Sequence, residues 1–219
     1  MLVFERRVEH TMSIPALTSV LLFIFSMLCL GTGIYAFRRH SITQSERLFA
    51  VGLAMCITAV GISCGALNTS PFLPPLNLGW AWYNGTFWGF FFLFLSSMMK
   101  SAEQFRLLKR WGIIAAAVVV LVIVLTPVFP ALTDPYMQIF LNSFRTIACL
   151  LGFVRYLMLY TSKGTRFSLL MCLALLLITV GYAILMPQLL EPSLAALTAV
   201  GVFIRIIGAA VLFIAFVLG

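Results

Sequence analysis

Six acidic residues and two histidines are all that the 219-residue chain contains, and none of the eight lies deep in an apolar stretch. Glu5, Glu9, Glu46, Glu103, Asp134 and Glu191 sit in the N-terminal tail, in connections or at the ends of apolar runs, as do His10 and His40. A buried general acid–base pair, a haem with axial histidines and a di-metal carboxylate centre all need ligands in the core. The paired aspartates, serine–histidine dyad or zinc set of an intramembrane protease are missing too. A retinal Schiff base needs a lysine deep in the bundle, and Lys100, Lys109 and Lys163 all fall at the edges of apolar runs. The five cysteines, Cys29, Cys56, Cys64, Cys149 and Cys172, lie inside apolar segments and form no C-x-x-C pair. They read as small packing residues rather than a disulfide framework or a zinc site. The expectation is a protein that is not an enzyme, with no catalytic residue, metal or cofactor.

What the chain has in abundance is apolar surface. It is 63% hydrophobic and 9% charged, with a mean hydropathy of +1.12, whereas a soluble domain carries about 25% charged residues. Runs of about 20 apolar residues cross a bilayer as helices. Seven such runs are legible, at 13–36, 48–67, 79–99, 111–129, 135–160, 167–188 and 193–218. The predicted fold is therefore an all-α membrane protein, a seven-transmembrane helix bundle in a single domain over 1–219, with 1–12 as an extracytoplasmic tail.

Charge placement predicts the orientation. Arg38, Arg39 and Arg47, then Lys100, Arg106, Lys109 and Arg110, then Arg155, Lys163 and Arg166 gather in alternate connections, while the others carry only Asp134 and Glu191. The positive-inside bias puts the basic set in the cytoplasm, the N-terminus outside and the C-terminus inside. The net charge of +8 is thus assigned to topology and anionic lipid headgroups, not to nucleic acid. No cleavable signal is evident, because the first run ends in F-R-R-H, a stop-transfer flank. The expected location is a bacterial cytoplasmic membrane, crossed many times.

The fourth run, G-I-I-A-A-A-V-V-V-L-V-I-V-L, is apolar on every face and is expected against lipid, giving a 3+1+3 arrangement. R-L-F-A-V-G-L-A-M-C-I-T-A-V-G (47–61) resembles R-F-S-L-L-M-C-L-A-L-L-L-I-T-V-G (166–181) once a one-residue gap is allowed, as an internal duplication would. Trp80, Trp82 and Tyr83 fit an outer interfacial belt. Asn84 and Trp88, one turn apart and deeper, are expected to face the bundle.

Two arginines break the apolar pattern. In the fifth run Gln138, Asn142, Arg145, Cys149, Gly152 and Arg155 recur every three or four residues and so share one face. In the seventh, Arg205 shares a face with Thr198, Gly201, Gly208 and Ala209, the small-residue stripe along which helices approach closely. At ~1.5 Å per residue, Arg145 lies ~14 Å and Arg205 ~18 Å from the outer ends of their helices. A central arginine costs about 2.5–3.5 kcal/mol on insertion scales. Asp134 and Glu191 are ~16 and ~21 Å away along the axes, too far to neutralise them. Compensation falls to neutral acceptors or to an anion from outside the chain. The predicted ligand-binding set is Arg145, Arg205, Asn142, Gln138, Asn84 and Trp88. The anion is a ligand carboxylate or phosphate, a lipid headgroup or an acid of a partner protein.

The first run ending I-Y-A-F-R-R-H, followed by S-E-R-L-F-A-V-G-L-A-M-C-I-T-A-V-G, resembles the N-terminal seven-helix sensor region of bacterial histidine kinases, chiefly over residues 30–66. The resemblance implies a ligand-sensing bundle that reports to a cytoplasmic output domain. The chain departs from that pattern in stopping at Gly219, directly after the last run. An accessory subunit of a membrane complex and a small organic-anion transporter are the competing expectations.

Overall fold

A computed structural model describes residues 13–74, 76–194 and 196–218; the tail assigned to 1–12 lies outside the described residues. The helices are α1 (Ile14–Thr43), α2 (Glu46–Asn68), α3 (Gly79–Met98), α4 (Ala102–Val124), α5 (Pro135–Lys163), α6 (Arg166–Ala183), α7 (Leu185–Leu190) and α8 (Ala196–Leu218), with a 3-10 turn before α8. Pro15 and Pro135 open α1 and α5 in the first turn, where a missing N–H breaks no helical bond. Ser101 and Gln104 close a capping box at the start of α4, which satisfies two free amides. The basic stretch 100–110 is therefore the first turns of α4, and that helix begins about nine residues before the apolar run does. The sixth run breaks at Ile184. Pro187 removes an amide and its ring crowds the carbonyl four residues back, on Ala183, where α6 stops.

Among the described residues, six helices are long and apolar enough to cross a membrane: α1, α2, α4, α5, α6 continued through α7, and α8. The chain is an integral membrane protein on that evidence. The 20-residue α3 is ~30 Å long, but tryptophan, tyrosine, asparagine, glycine and serine lower its hydropathy. It packs between α2 and α5 and also touches α4, and it buries Tyr83, Thr86, Ser96 and Ser97 among its polar groups.

Six helices form a closed ring in the order α1, α2, α3, α5, α6, α8, and back to α1. The seventh long helix, α4, lies outside that ring against α2 and α3, exposing Ile113, Ile114, Val120 and Leu121. Short connections make successive long helices antiparallel. One end of the ring, where α1, α3, α5 and α8 begin, carries Asp134 and Glu191 and is called here the acidic end. The other carries the lysines and arginines and is the basic end.

The two trios in this ring, α1–α2–α3 and α5–α6–α8, are related by a constant step of 120 residues through their first two helices. α1 ends at Thr43 and α5 at Lys163, α2 starts at Glu46 and α6 at Arg166. The left-handed residues of the described chain are Gln44 and Gly164, one terminating each first helix. Gly61 on α2 meets Gly85 on α3, and its counterpart Gly181 on α6 meets Gly201 on α8. Pro15/Pro135, Cys29/Cys149, Ala54/Ala174, Val60/Val180 and Gly61/Gly181 are the same residue at that step. The gap needed to align Arg47 with Arg166 disappears, because the true partners are the N-caps Ser45 and Thr165.

The matched turns make a matched pair of predictions. A Cβ at Gly164 would meet nothing within 4 Å, but φ there is +61°, so Gly164→Ala should lose about 1 kcal/mol through backbone strain alone. Gln44 has φ 53°, and Gln44→Gly should gain a similar amount, about 0.5–1 kcal/mol. Thermal unfolding in detergent reads both.

Candidate functional site

The site begins with a pair of neighbours on α6. At Gly181 a Cβ would sit 2.5 Å from Cγ of Arg205 and 2.6 Å from the Gly201 carbonyl oxygen. Only a missing side chain lets the stem of Arg205 pass. Beyond it, the guanidinium settles against the next residue, Tyr182, with Cζ 4.5 Å from the ring centroid. From α5, Arg145 reaches the same ring at 4.8 Å. The glycine admits the arginine and the tyrosine receives it.

Arg145 and Arg205 are 0% and 1% exposed and are among the largest side chains the protein buries completely. Arg145 donates from Nη2 to Asn142 Oδ1 at 2.5 Å and from Nη1 to Thr86 Oγ1 at 3.4 Å. Its Cζ also lies 4.0 Å from the Tyr83 ring and 5.1 Å from Trp82. Asn142 is held in turn, donating from Nδ2 to the Tyr182 carbonyl at 3.0 Å. Arg205 donates from Nε to the Gly201 carbonyl at 3.1 Å and approaches Phe25 at 5.9 Å. Stacking on desolvated rings contributes up to about 2 kcal/mol per contact, which offsets much of the cost of burying each cation.

It does not satisfy the donors. Nη1 and Nη2 of Arg205, Nε of Arg145 and the Tyr182 hydroxyl are buried with no partner in hydrogen-bonding geometry among the described residues. Each unmet buried group costs about 1–3 kcal/mol. The shared ring puts the two guanidinium carbons no more than about 9 Å apart, where at a dielectric of ~20 they repel by ~2 kcal/mol or more. The arrangement is unfavourable in every term that an anion would reverse.

Above the two arginines lies a cavity of about 160 Å³. Thr18, Leu22, Thr69, Trp82 and Tyr83 line it from the first trio; Gln138, Asn142, Gln188, Thr198 and Val202 line it from the second half. Of the amides and threonine hydroxyls among these, all but Asn142 (Thr18, Thr69, Gln138, Gln188 and Thr198) lie near helix ends, so the cavity opens toward the acidic end. Gln138 donates to the Leu132 carbonyl at 2.8 Å, and Thr198 bonds Gln188. The cavity lies on the seam between the two trios.

Of the residues predicted from the sequence, Arg145, Arg205, Asn142 and Gln138 meet on this cavity. Asn84 and Trp88 do not. Asn84 donates back to the Trp80 carbonyl on its own helix at 2.9 Å and flanks a separate hollow with Phe87 and Phe144. Trp88 stacks on Phe92 and lines an apolar groove with Leu107 and Trp111 of α4. Tyr83, Thr86 and Phe90 define the inner face of α3, and Asn84 and Trp88 lie ~100–140° round the helix from Tyr83. Trp82 and Tyr83, expected in the interfacial belt, instead stack on Arg145. Trp80 keeps a place at the acidic end, donating to the Pro130 carbonyl. Tyr182 was not foreseen, although a tyrosine after a glycine in an otherwise aliphatic run was its visible signal.

Tyr182→Phe should leave stacking intact and change stability by less than about 1 kcal/mol, since it deletes a hydroxyl without a partner. Tyr182→Leu removes the ring that both cations share and should cost about 3 kcal/mol or more. Unfolding midpoints of the two variants, measured side by side, check the contrast.

No family model, no curated protein and no solved structure matches the chain.

Proposed function

We propose that the protein is a membrane-embedded receptor-type module that takes a small organic anion between its two buried arginines. The observation that carries the reading is a pair of wholly buried arginines, short of hydrogen-bond partners among the described residues, that line a cavity with no acidic side chain among its described lining. On this reading α3 is a seventh span, the basic end faces the cytoplasm, and the anion enters from outside a bacterial cytoplasmic membrane. A sensor role then follows from occupancy of a site that touches both trios. An acid from a partner subunit would have to enter from the side, and the cavity's opening toward a helix end counts against it.

The cavity volume limits the ligand. A protein cavity of about 150 Å³ accepts benzene, so 160 Å³ suits an oxyanion with a body about the size of one ring, set among Leu22, Trp82, Tyr83 and Val202. Benzenesulfonate, a permanent anion, is the probe, and benzyl alcohol of similar shape is its neutral control. Calorimetric titration of the detergent-solubilised protein should show saturable binding of the sulfonate at least tenfold tighter than the alcohol. Equal affinity for the two, or none for either, would remove the charge from the explanation.

A further inference from the structure

Beyond the cavity, α5 carries a further arginine. Arg155 lies ten residues after Arg145 on α5, ~15 Å nearer the basic end. It donates from Nη2 to the Ser97 carbonyl of α3 at 3.4 Å, while its Nε is buried with no hydrogen-bond partner among the described residues. Both arginines thus reach across the same α3–α5 seam, Arg145 to Thr86 and Arg155 to Ser97. Between them along α5 lie Ala148, Cys149 and Gly152, all buried and all small, with Gly152 turned toward Leu175 of α6.

This seam is one of two along which the repeated trios touch, α3 with α5 and α1 with α8. Both seams are less extensive than any contact within a trio between sequence-adjacent long helices. Each trio therefore holds together as a unit more firmly than it holds its partner. The repeats run in the same direction through the bundle, since α1 and α5 both start at the acidic end. Parallel repeats with a binding site at their interface near mid-depth are the architecture in which one half rocks against the other to expose a site alternately to each side. In the present conformation the cavity opens toward the acidic end, and buried Phe90 and Tyr156 belong to the packed core below it.

We infer that the anion is not only bound but carried: it passes from the Arg145–Arg205 site to Arg155 along the α3–α5 seam when the two trios tilt. Arg155 is the inner station, offering a cationic partner at the basic end where release occurs. The inference rests on the proposed anion site and adds passage to it. Nothing covalent changes; the anion exchanges one set of guanidinium donors for another.

The test is counterflow of labelled benzenesulfonate in proteoliposomes of the full chain preloaded with the unlabelled anion, alongside binding measured in detergent on the same preparation. Wild type should accumulate label at least tenfold faster than empty vesicles. Arg155→Met should bind within about twofold of wild type, which also reports its folding, while counterflow falls to the empty-vesicle rate. Arg205→Met should lose both. Saturable wild-type binding without counterflow would overturn passage and leave the binding site standing. Absence of wild-type binding would overturn both, and undiminished counterflow in Arg155→Met would remove the inner station.

Discussion

Arg205→Met is expected to weaken benzenesulfonate binding by about 100-fold, the loss of charge-assisted hydrogen bonds worth ~3 kcal/mol, and at the same time to raise the melting temperature of the ligand-free protein. The two signs together are the point. Methionine keeps an unbranched stem over Gly181, where Cγ of Arg205 now passes, and keeps the apolar contact with Tyr182 and Phe25. It removes the two Nη groups that have no partner and the repulsion from Arg145. Replacing a buried charge by a hydrophobe of similar volume is often stabilising. A gain of ~2 kcal/mol corresponds to roughly 4–8 °C for a chain of this length. A purely architectural arginine gives the opposite sign: the midpoint falls and any weak anion binding is unchanged. Unfolding by differential scanning fluorimetry, with and without the sulfonate, separates the two.

Gly61→Val and Gly181→Val should be among the most damaging single changes in the molecule. A Cβ at Gly61 would lie 2.6 Å from the amide nitrogen of Thr86 and 2.9 Å from Cα of Gly85. These are backbone atoms that cannot rotate aside. At Gly181 the obstacles are the Gly201 carbonyl and the stem of Arg205. Each substitution must push two helices apart where they cross most closely, at an expected cost of at least ~3 kcal/mol. Gly31 provides the control, because a Cβ there meets nothing within 4 Å and Gly31→Ala should gain up to about 1 kcal/mol from helix propensity. The pair also tests the repeat. If Gly61 and Gly181 are equivalent crossings, their costs should be alike, although only Gly181 touches the site. Gly181→Val alone should then abolish anion binding in whatever fraction remains folded.

Much of this architecture was legible in the residues because bilayer chemistry writes it in long, coarse signals. The runs of apolar residues placed most helix ends to within a few positions, but α1 continues to Thr43, well past the end of its run at 36, and α4 spans Ala102–Val124 instead of 111–129. The capping box at Ser101 drew a basic stretch into α4, and Pro187 cut the sixth run in two. Periodicity on the fifth run identified Asn142 and Arg145 as partners on one face, and they are in direct contact. The stripe Gly201, Arg205, Gly208 on the last run is buried as expected.

What escaped was contact between helices that the sequence does not relate. Nothing in the spacing of α3 says that the Tyr83 face, and not the Asn84 face, meets Arg145, because both carry aromatic and small residues. Tyr182 is the clearer case. Its role depends on a glycine that admits a side chain from α8 and on an asparagine from α5 that bonds its carbonyl. Three separate helices must be assembled before that tyrosine has a function. The duplication was half visible: the V-G at the end of each segment was the right clue, and the wrong arginine pair supplied the spurious gap. Against the repeat, the site is asymmetric. At the 120-residue step Phe25 stands where Arg145 does and Ile62 where Tyr182 does, so the cationic column belongs to the second trio alone.

The most direct measurement is a high-resolution crystallographic or electron-microscopy map of the protein saturated with benzenesulfonate. Sulfonate density within hydrogen-bonding distance of Nη1 or Nη2 of Arg205, with its ring against Trp82 or Tyr83, is the predicted result. Guanidinium groups closed onto oxygens of the chain itself, with the sulfonate absent or scattered at the surface, would contradict it.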